Sequence, residues 1–585
     1  CIKAEALTEL VRRFWEQEEL PQASSMTEDE QKCEESFVAT HTRNAEGRYV
    51  VRLPLVREPP DLSATKQAAM SSLFRMETRF TREPELHTMY SDFMRQYEEL
   101  AHMSPAIIHD EKGEGKRTCY LPHHGVIRDS SLTTKLRVVF NGSQLVPSGE
   151  SLNANLRIGE NLLPALTDIL LQWRAHRFVL ATDIEKMYRQ ILIHPDDRDL
   201  QRILWRYDAT EKVQDYKLNT VTYGLACAPF LALRTLQQLA QDEEQNFPLG
   251  AAALKKHVYV DDILTGADTM KETQELQKQL LLLCKAGGFP LKKWTANHEE
   301  LLESVPEEDR MPFKTREWQP RDCQAMLGVR WNPNYDSFAF TVKDSELKVI
   351  TKRTVLSKTA QLFDPLGWLA PVVIQAKILI QTAWIKGLGW DTPLDTEDTR
   401  KWQKLQEELP SLERVRVPRW MPGCKADQVV ELHGFADASE RAYAAVVYLR
   451  SNHNSPCFKI SLIAAKTKVA PLKQVSLPRL ELSAATLLAQ LITYLQRALS
   501  LTKVSIHVWL DSTVALSWVQ GHPSKWKTFV ANRVAEIQRL LPEARWHHVR
   551  SRDNPADCAS RGVSPSELVN HHLWWQGPTW LSDDE

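Results

Sequence analysis

No apolar run in this sequence reaches the ~18 residues a bilayer-spanning helix needs, and the chain opens on charged residues rather than a secretory leader. Neither a membrane span nor secretion is expected. The nine cysteines form no CxxC pair and no Cys/His knuckle. That excludes the common zinc modules and leaves reduced thiols as the expected state. A charge excess is also lacking: 73 Lys and Arg stand against 75 Asp and Glu. Any surface for a polyanion must therefore be local. Asp-Thr-Gly and Asp-Ser-Gly occur nowhere, so no aspartic protease activity is expected. Residue 1 is Cys rather than Met, and the chain is expected to be a piece of a longer or processed product.

What is present is 585 residues of ordinary globular composition, too many for one core at roughly 100–200 residues per domain. Residues 1–60 read as an N-terminal linker region, with a polar acidic stretch over Gln22–Glu35 and a strand near Arg48–Leu53. Spaced Leu, Phe, Met and Tyr over 64–103 predict amphipathic helices. Strands follow over 119–127 and 135–140. The pair His123-His124 has no acid or Cys at ligand spacing, so it is read as structural. The order of strands and helices to about residue 300 predicts an α+β unit. A mostly helical region runs over 301–425, a second α/β unit over 426–565, and an aromatic tail with no obvious partner over 566–585.

The stretch Tyr259-Val260-Asp261-Asp262 sets two adjacent carboxylates between short apolar runs rich in β-branched residues. The pattern predicts strand, tight turn and strand with the acids at the turn. Neighbouring carboxylates repel unless a cation neutralises them. Upstream, the buried strand Phe178–Asp183 also ends in an acid. A strand-end acid plus hairpin acids is the donor set of a two-metal phosphoryl-transfer site.

A second set lies towards the C-terminus. Asp437 sits on a strand, Glu481 near the start of a helix, Asp511 at a strand end and Asp557 just after a further strand. Asp, Glu, Asp, Asp in this order resembles an RNase H domain, where two metals activate water for cleavage of an RNA phosphodiester. The loop before Asp557 reads Arg550-Ser551-Arg552-Asp553 and lacks the histidine found in many such domains, so Arg552 is left as a stand-in or the assist is missing.

Tyr-Val-Asp-Asp together with Asp183 and Tyr188 is similar to reverse transcriptases, and over nearly its whole length the chain resembles the polymerase of BEL/Pao-type LTR retrotransposons. The resemblance implies a right-hand polymerase: fingers and palm over 61–300, a thumb-like connection over 301–425 and an RNase H-like domain over 426–565. The tail over 566–585 would lead towards an absent integrase. It implies Asp183, Asp261 and Asp262 as ligands of Mg2+ (two ions per site, Mn2+ as a substitute), and Asp437, Glu481, Asp511 and Asp557 likewise. It implies Lys135 and Arg137 on the triphosphate, Tyr188 as the ring that excludes a ribose 2′-hydroxyl, and Gly224 where backbone nears the nucleotide. Retroviral enzymes carry Pro-Gln-Gly where this chain has Thr222-Tyr223-Gly224. Lys292 and Lys293 are alternatives for protonating pyrophosphate, and Leu327-Gly328 match the hairpin that grips the primer. The implied partners are RNA template, DNA primer, RNA–DNA hybrid, dNTPs, and the element's capsid and integrase. The implied location is a cytoplasmic virus-like particle or the nucleus. The stretch Gln361-Leu362-Phe363-Asp364-Pro365-Leu366-Gly367-Trp368-Leu369-Ala370-Pro371 is expected to be structural. Two rivals remain at this stage: a decayed or domesticated element protein that binds nucleic acid without catalysis, and a polymerase without nuclease.

Overall fold

The computed structural model describes residues 26–58, 60–106, 118–127, 136–311, 324–326, 328–342, 349–424, 430–452, 458–501 and 503–583. A hairpin of β1 (His123–Ile127) and β2 (Leu136–Phe140) belongs to the fingers. Helix α1 (Leu166–Ala175) then leads into β3 (Phe178–Ile184), the inner strand of the palm. The palm sheet is completed by β4 (Val258–Tyr259), β5 (Asp262–Ala267) and β6 (Leu291–Ala296), in the order β4-β5-β3-β6, every pair antiparallel.

Strand alternation gives this sheet two buried faces. Leu180 and Ile184 enter the fingers-side core, whereas Val179 and Ala181 enter a second core shared with the C-terminal half. Side chains alternate with period two, so a strand covered on both faces must be apolar at successive positions, as Phe178-Val179-Leu180-Ala181 is. Only its end, at Asp183, reaches a cleft.

The region expected to be a linker is instead part of the fingers-side core from residue 28 onward. Thr27 and Glu30 form a reciprocal capping box at the start of the helix Glu28–Thr40, which buries Cys33 and Phe37. Arg234 fastens it through Glu34 at 2.8 Å. The Thr-x-x-Glu signature was in the sequence; the high acid content obscured it. The acids lie on the water side and at the positive N-terminus, where they are favourable.

The C-terminal unit begins with α2 (Ala370–Ile385), whose start is capped by Asp364 accepting the Trp368 and Leu369 amides at 2.9 and 2.6 Å. Its sheet is built from β7 (Val430–Ala438), β8 (Ala442–Ser451) and β9 (Lys459–Val469). The long helix α3 (Leu477–Ala498) intervenes before β10 (Ser505–Leu510) and β11 (Arg545–His548), and α4 (Ala556–Arg561) follows. The order is β9-β8-β7-β10-β11, with β10 and β11 parallel to β7 and the other pairs antiparallel. The whole is an α+β multidomain chain, a palm-centred polymerase followed by an RNase H-like α/β domain.

Two arginines lock the halves together. Arg174, at the end of α1, donates to the carbonyls of Leu462 and Ile463 on β9 at 3.1 and 3.0 Å. Burial pulls its guanidinium down to about 9. Arg419 grips the other way and is treated in the Discussion.

One expectation fails at the C-terminal end of this unit. The aromatic tail has a partner: Trp574 is fully buried and donates to the Trp368 carbonyl at 2.8 Å, and Trp580 packs on Trp509 with centroids 4.5 Å apart and the rings tilted by 50°. The sheet face carrying Phe435, Tyr448 and Trp509 is apolar and must be covered, which no local pattern in the tail announces. The basic cluster after residue 340 is not a strip of free charge. Lys343 and Lys348 lie outside the described residues. Lys352 and Lys358 are buried, the former's ammonium 4.7 and 5.3 Å from the Trp384 and Trp390 rings, and Arg353 pairs with Asp391 at 2.6 Å.

Candidate active sites

On the palm, Asp183 of β3 and Asp262 of β5 are direct partners in register, and Tyr259 pairs with Asp262 across the hairpin. The turn between is Val260-Asp261. Val260 has φ +57, a left-handed conformation that costs a β-branched residue roughly 1–3 kcal/mol. The strain is held by tertiary contact, since the Asp261 carbonyl accepts the Ile184 amide at 2.8 Å. Three carboxylates thus lie near one end of the palm sheet, though their oxygens do not all come within 4.8 Å of one another. The charge they share shows in the acidities of Asp261 and Asp262. Asp262 is pushed up to about 7, first by burial and then by Asp261 and Asp183. Asp261 is open to the cleft yet also raised, by the surrounding protein and by Asp183, while Lys293 and Arg137 oppose the shift.

A bulge in β6 separates the two adjacent lysines. Lys293, at φ +56, places its ammonium 2.8 Å from Asp183 Oδ2, whereas Lys292 turns away to pair with Asp309. Sequence reading left the choice between them open; the side chain at the acids is Lys293. Arg137 on β2 acts electrostatically on Asp261, so the fingers hairpin reaches the site. Lys135 lies outside the described residues, as does Leu327. Gly328 has φ +85 and packs so closely on Phe363 that a Cβ would meet the ring at 3.0 Å.

Tyr188 sits on the short helix Met187–Gln190, half-buried, with its hydroxyl held above the usual range by burial and by Asp261. Its ring stands edge-on to Tyr223 at 6.3 Å, and the Tyr223 hydroxyl lies 3.2 Å from that of Tyr97. Gly224 has φ +102, and a Cβ there would lie 2.1 Å from the Phe140 carbonyl oxygen. The visible demand for glycine is thus the contact of palm with fingers.

In the C-terminal domain, Asp437 near the end of β7, Glu481 in the second turn of α3 and Asp511 just past β10 converge. Each offers an oxygen within 4.8 Å of the others. Asp437 and Glu481 are buried, and Glu481 Oε2 and Asp511 Oδ1 have no hydrogen-bond partner. Orphaned buried carboxylate oxygens are costly. Burial and then the Asp437 and Asp511 charges push Glu481 up to about 9, and burial likewise raises Asp437. An all-carboxylate donor set with unsatisfied oxygens fits a hard divalent cation. Asp557 stands outside this trio, paired with Arg561 one turn on at 2.5 Å. Ser551 donates to Asp511 Oδ2 at 2.8 Å, while Arg552 is three-quarters exposed beside Asp553. Sequence reading considered Arg552 and missed Ser551.

A second close grouping among the described residues, Glu431, His433 and His507, is chemically unlike the first. The Trp509 indole, a donor only, gives its N–H to His433 Nδ1 at 3.2 Å. The proton of His433 must then sit on Nε2, which faces Glu431 Oε2 at 3.0 Å, and Arg450 occupies the same carboxylate oxygen at 2.7 Å. His433 has no lone pair left for a metal, and the network is a buried polar clasp.

Residues 138–295 match the family model of reverse transcriptases (RNA-dependent DNA polymerases), and residues 351–512 match that of the Pao retrotransposon-like RNaseH-like domain. The chain thus carries a reverse transcriptase domain and a Pao retrotransposon-like RNaseH-like domain. The first match contains Asp183, Asp261 and Asp262, and the second Asp437, Glu481 and Asp511. No curated protein sequence matches the chain. Among solved structures, foamy viral protease-reverse transcriptase in complex with double-stranded DNA is 12% identical over 94% of this chain and 93% of that one, with a TM-score of 0.49. The dRH form with DNA is 13% identical over 78% and 68%, also at 0.49, and the RNA/DNA hybrid complex 13% over 75% and 51%, at 0.45. The chain is an RNA-directed DNA polymerase with associated RNase H. Among its described helices none is long and apolar enough to cross a membrane.

The raised Glu481 acidity has a testable sign. A folded-state pKa of about 9 against 4.5 means the folded RNase H site holds a proton the unfolded chain releases. That stability is full below the unfolded value and is lost as pH rises through the folded one. A divalent cation takes the deprotonated acids and reverses the loss. Saturating Mg2+ should therefore raise the thermal midpoint clearly near about pH 8.5, with about 2.7 kcal/mol of stabilisation at a hundredfold excess over Kd, and little near about pH 5.5. Calorimetry at both pH values checks it; equal shifts would sink the assignment of these acids as cation ligands.

Proposed function

We propose that the chain extends a DNA primer on an RNA or DNA template at the palm acids and cuts the RNA of the resulting hybrid at the second set. The observation that carries the polymerase half is the register Asp183 opposite Asp262, with Asp261 on the turn and Arg137 and Lys293 beside it. Asp183 and Asp261 would be the main ligands and Asp262 the third acid. A pair of Mg2+ ions held by such acids would acidify the attacking oxygen and neutralise the leaving one. Lys135 and Arg137 would hold the incoming dNTP by its phosphates, Arg137 with its two-pronged fork. The primer 3′-hydroxyl then attacks the α-phosphorus and pyrophosphate leaves. Lys293, already within reach of Asp183, is placed to give that leaving group a proton. Gly328, packed on Phe363, and Leu327 before it in the chain would hold the primer end.

In the nuclease half, Asp437, Glu481 and Asp511 form the ligand set and Asp557 completes it on leaving Arg561. Their oxygens would orient a water for in-line attack on an RNA phosphodiester, releasing a 3′-hydroxyl. Template, primer and hybrid are the nucleic-acid partners of this reading. Most of the affinity would come from phosphate contacts and fall with salt.

Tyr188 tests the nucleotide pocket. Tyr188→Val should lower discrimination against ribonucleotides about 10- to 100-fold, because the ring that meets the 2′-hydroxyl is gone. The measurement is kcat/KM for a dNTP and its ribonucleotide counterpart in primer extension. Unchanged sugar selectivity would remove Tyr188 from this role.

A further inference from the structure

Ser560 lies on α4 three residues after Asp557 and is completely buried. Its hydroxyl lies between two oxygens, Asp437 Oδ2, to which it donates in a short hydrogen bond, and the Asp557 carbonyl at 3.2 Å. Its own carbonyl accepts from the Ser439 hydroxyl at 2.9 Å. Six residues earlier Asn554, also fully buried, donates its side-chain amide to the Ala436 carbonyl at 3.0 Å. The segment carrying the fourth acid is therefore sewn to β7 on both sides of the first acid, at Ala436 and Ser439, and to the carboxylate itself through Ser560.

A serine hydroxyl has one proton, and an ionised carboxylate accepts only. A proton committed to Asp437 Oδ2 fixes the rotation of that carboxyl group beside Glu481 and Asp511. Outer-shell donors of this kind orient ligating carboxylates and tune their affinity.

We propose that Ser560 is a positioning residue of the RNase H site: it orients Asp437 for cation binding and couples that acid to the chain position of Asp557. This rests on the reading of Asp437, Glu481 and Asp511 as the cation-holding set. Packing alone does not ask for a hydroxyl at this buried point, where alanine would leave only a small void. The role is therefore separable from docking of α4.

The test reads cation binding directly. In the full chain carrying Asp183→Asn and Asp261→Asn, so that the palm does not contribute, Mn2+ binding is followed by electron paramagnetic resonance. Ser560→Ala should weaken it ~10–100-fold. Ser560→Cys, of similar volume but a poor donor, should follow Ser560→Ala, and Ser560→Thr should restore most of the affinity. In the chain with an intact palm, the Mg2+ concentration for half-maximal hybrid cleavage should rise in step while primer extension is unchanged. Parental Mn2+ affinity in a folded Ser560→Ala or Ser560→Cys protein would overturn the proposal and leave Ser560 a docking residue. A parent whose Mn2+ binding survives Asp437→Asn would instead overturn the underlying assignment of the site.

Discussion

Asp261→Asn lowers primer extension by roughly three orders of magnitude or more, while cleavage of a labelled hybrid continues at the parental rate. The size follows from what one carboxylate does at such a site, since removing a preorganised electrostatic group costs about a hundred- to a thousandfold even when it is a neutral donor. Asp261 has the greater burden. It sits on the strained turn at Val260, its backbone carbonyl is held by Ile184, and its carboxyl faces Asp183 in the cleft. Asparagine preserves volume and the turn, so the fold should survive, and relief of repulsion makes the folded state no less stable. The nuclease acids lie on and around a different sheet, Asp437 on its central strand and Glu481 and Asp557 on helices against it. Asp437→Asn should give the mirror result, with cleavage lost and extension kept. Parallel assays on purified variants decide it. Extension that persists in Asp261→Asn would remove the hairpin from the chemistry. Joint loss of both activities, in a protein shown to be folded, would mean one shared site rather than two.

Arg419→Ala is expected to cost about 3–5 kcal/mol, the range for breaking a buried ion pair by removing one partner. Arg419 is entirely buried. It makes a two-pronged pair with Asp336 at 2.6 and 2.7 Å and donates to the carbonyls of Trp173, His176 and Arg177. Those carbonyls are at and just beyond the end of α1, where a helix leaves acceptors unpaired. One guanidinium thus finishes a palm helix from a position just past the short strand Arg416–Pro418, ahead of the RNase H sheet. Alanine strands a carboxylate and several carbonyls at once. The thermal midpoint should fall by roughly 10 °C. Arg419→Lys, which keeps the charge without the planar fork, should fall between. Because Arg174 spans the same junction, the loss should be accompanied by proteolysis between the two halves. An unchanged midpoint would show that the halves are held together elsewhere.

The acidic candidate positions were legible in the sequence because their constraints are local. Tyr259-Val260-Asp261-Asp262 announces its turn by β-branched flanks and paired acids. Asp183 announces itself by ending an apolar strand. The four later acids were recognisable by their order along strands and helices. The linker reading of Gln22–Glu35 failed because acids on a helix's water side look like a solvated segment when the partner surface is out of view. The tail Trp574–Leu581 failed likewise, since an aromatic stretch does not name the sheet it will cover.

What the sequence by itself determined was therefore the chemical inventory and its secondary-structure setting: two carboxylate sets, a polymerase half and an RNase H half. Only the tertiary structure decided which members meet. It chose Lys293 over Lys292 through one bulge, put Ser551 rather than Arg552 on Asp511, and left Asp557 with Arg561 outside the close trio. It also showed Ser560 beneath Asp437. The contacts of Lys293, Ser551 and Ser560 depend on side chains brought together across 40 to more than 120 residues of chain. Such distances are set by how whole sheets and helices pack, and local periodicity carries no information about them.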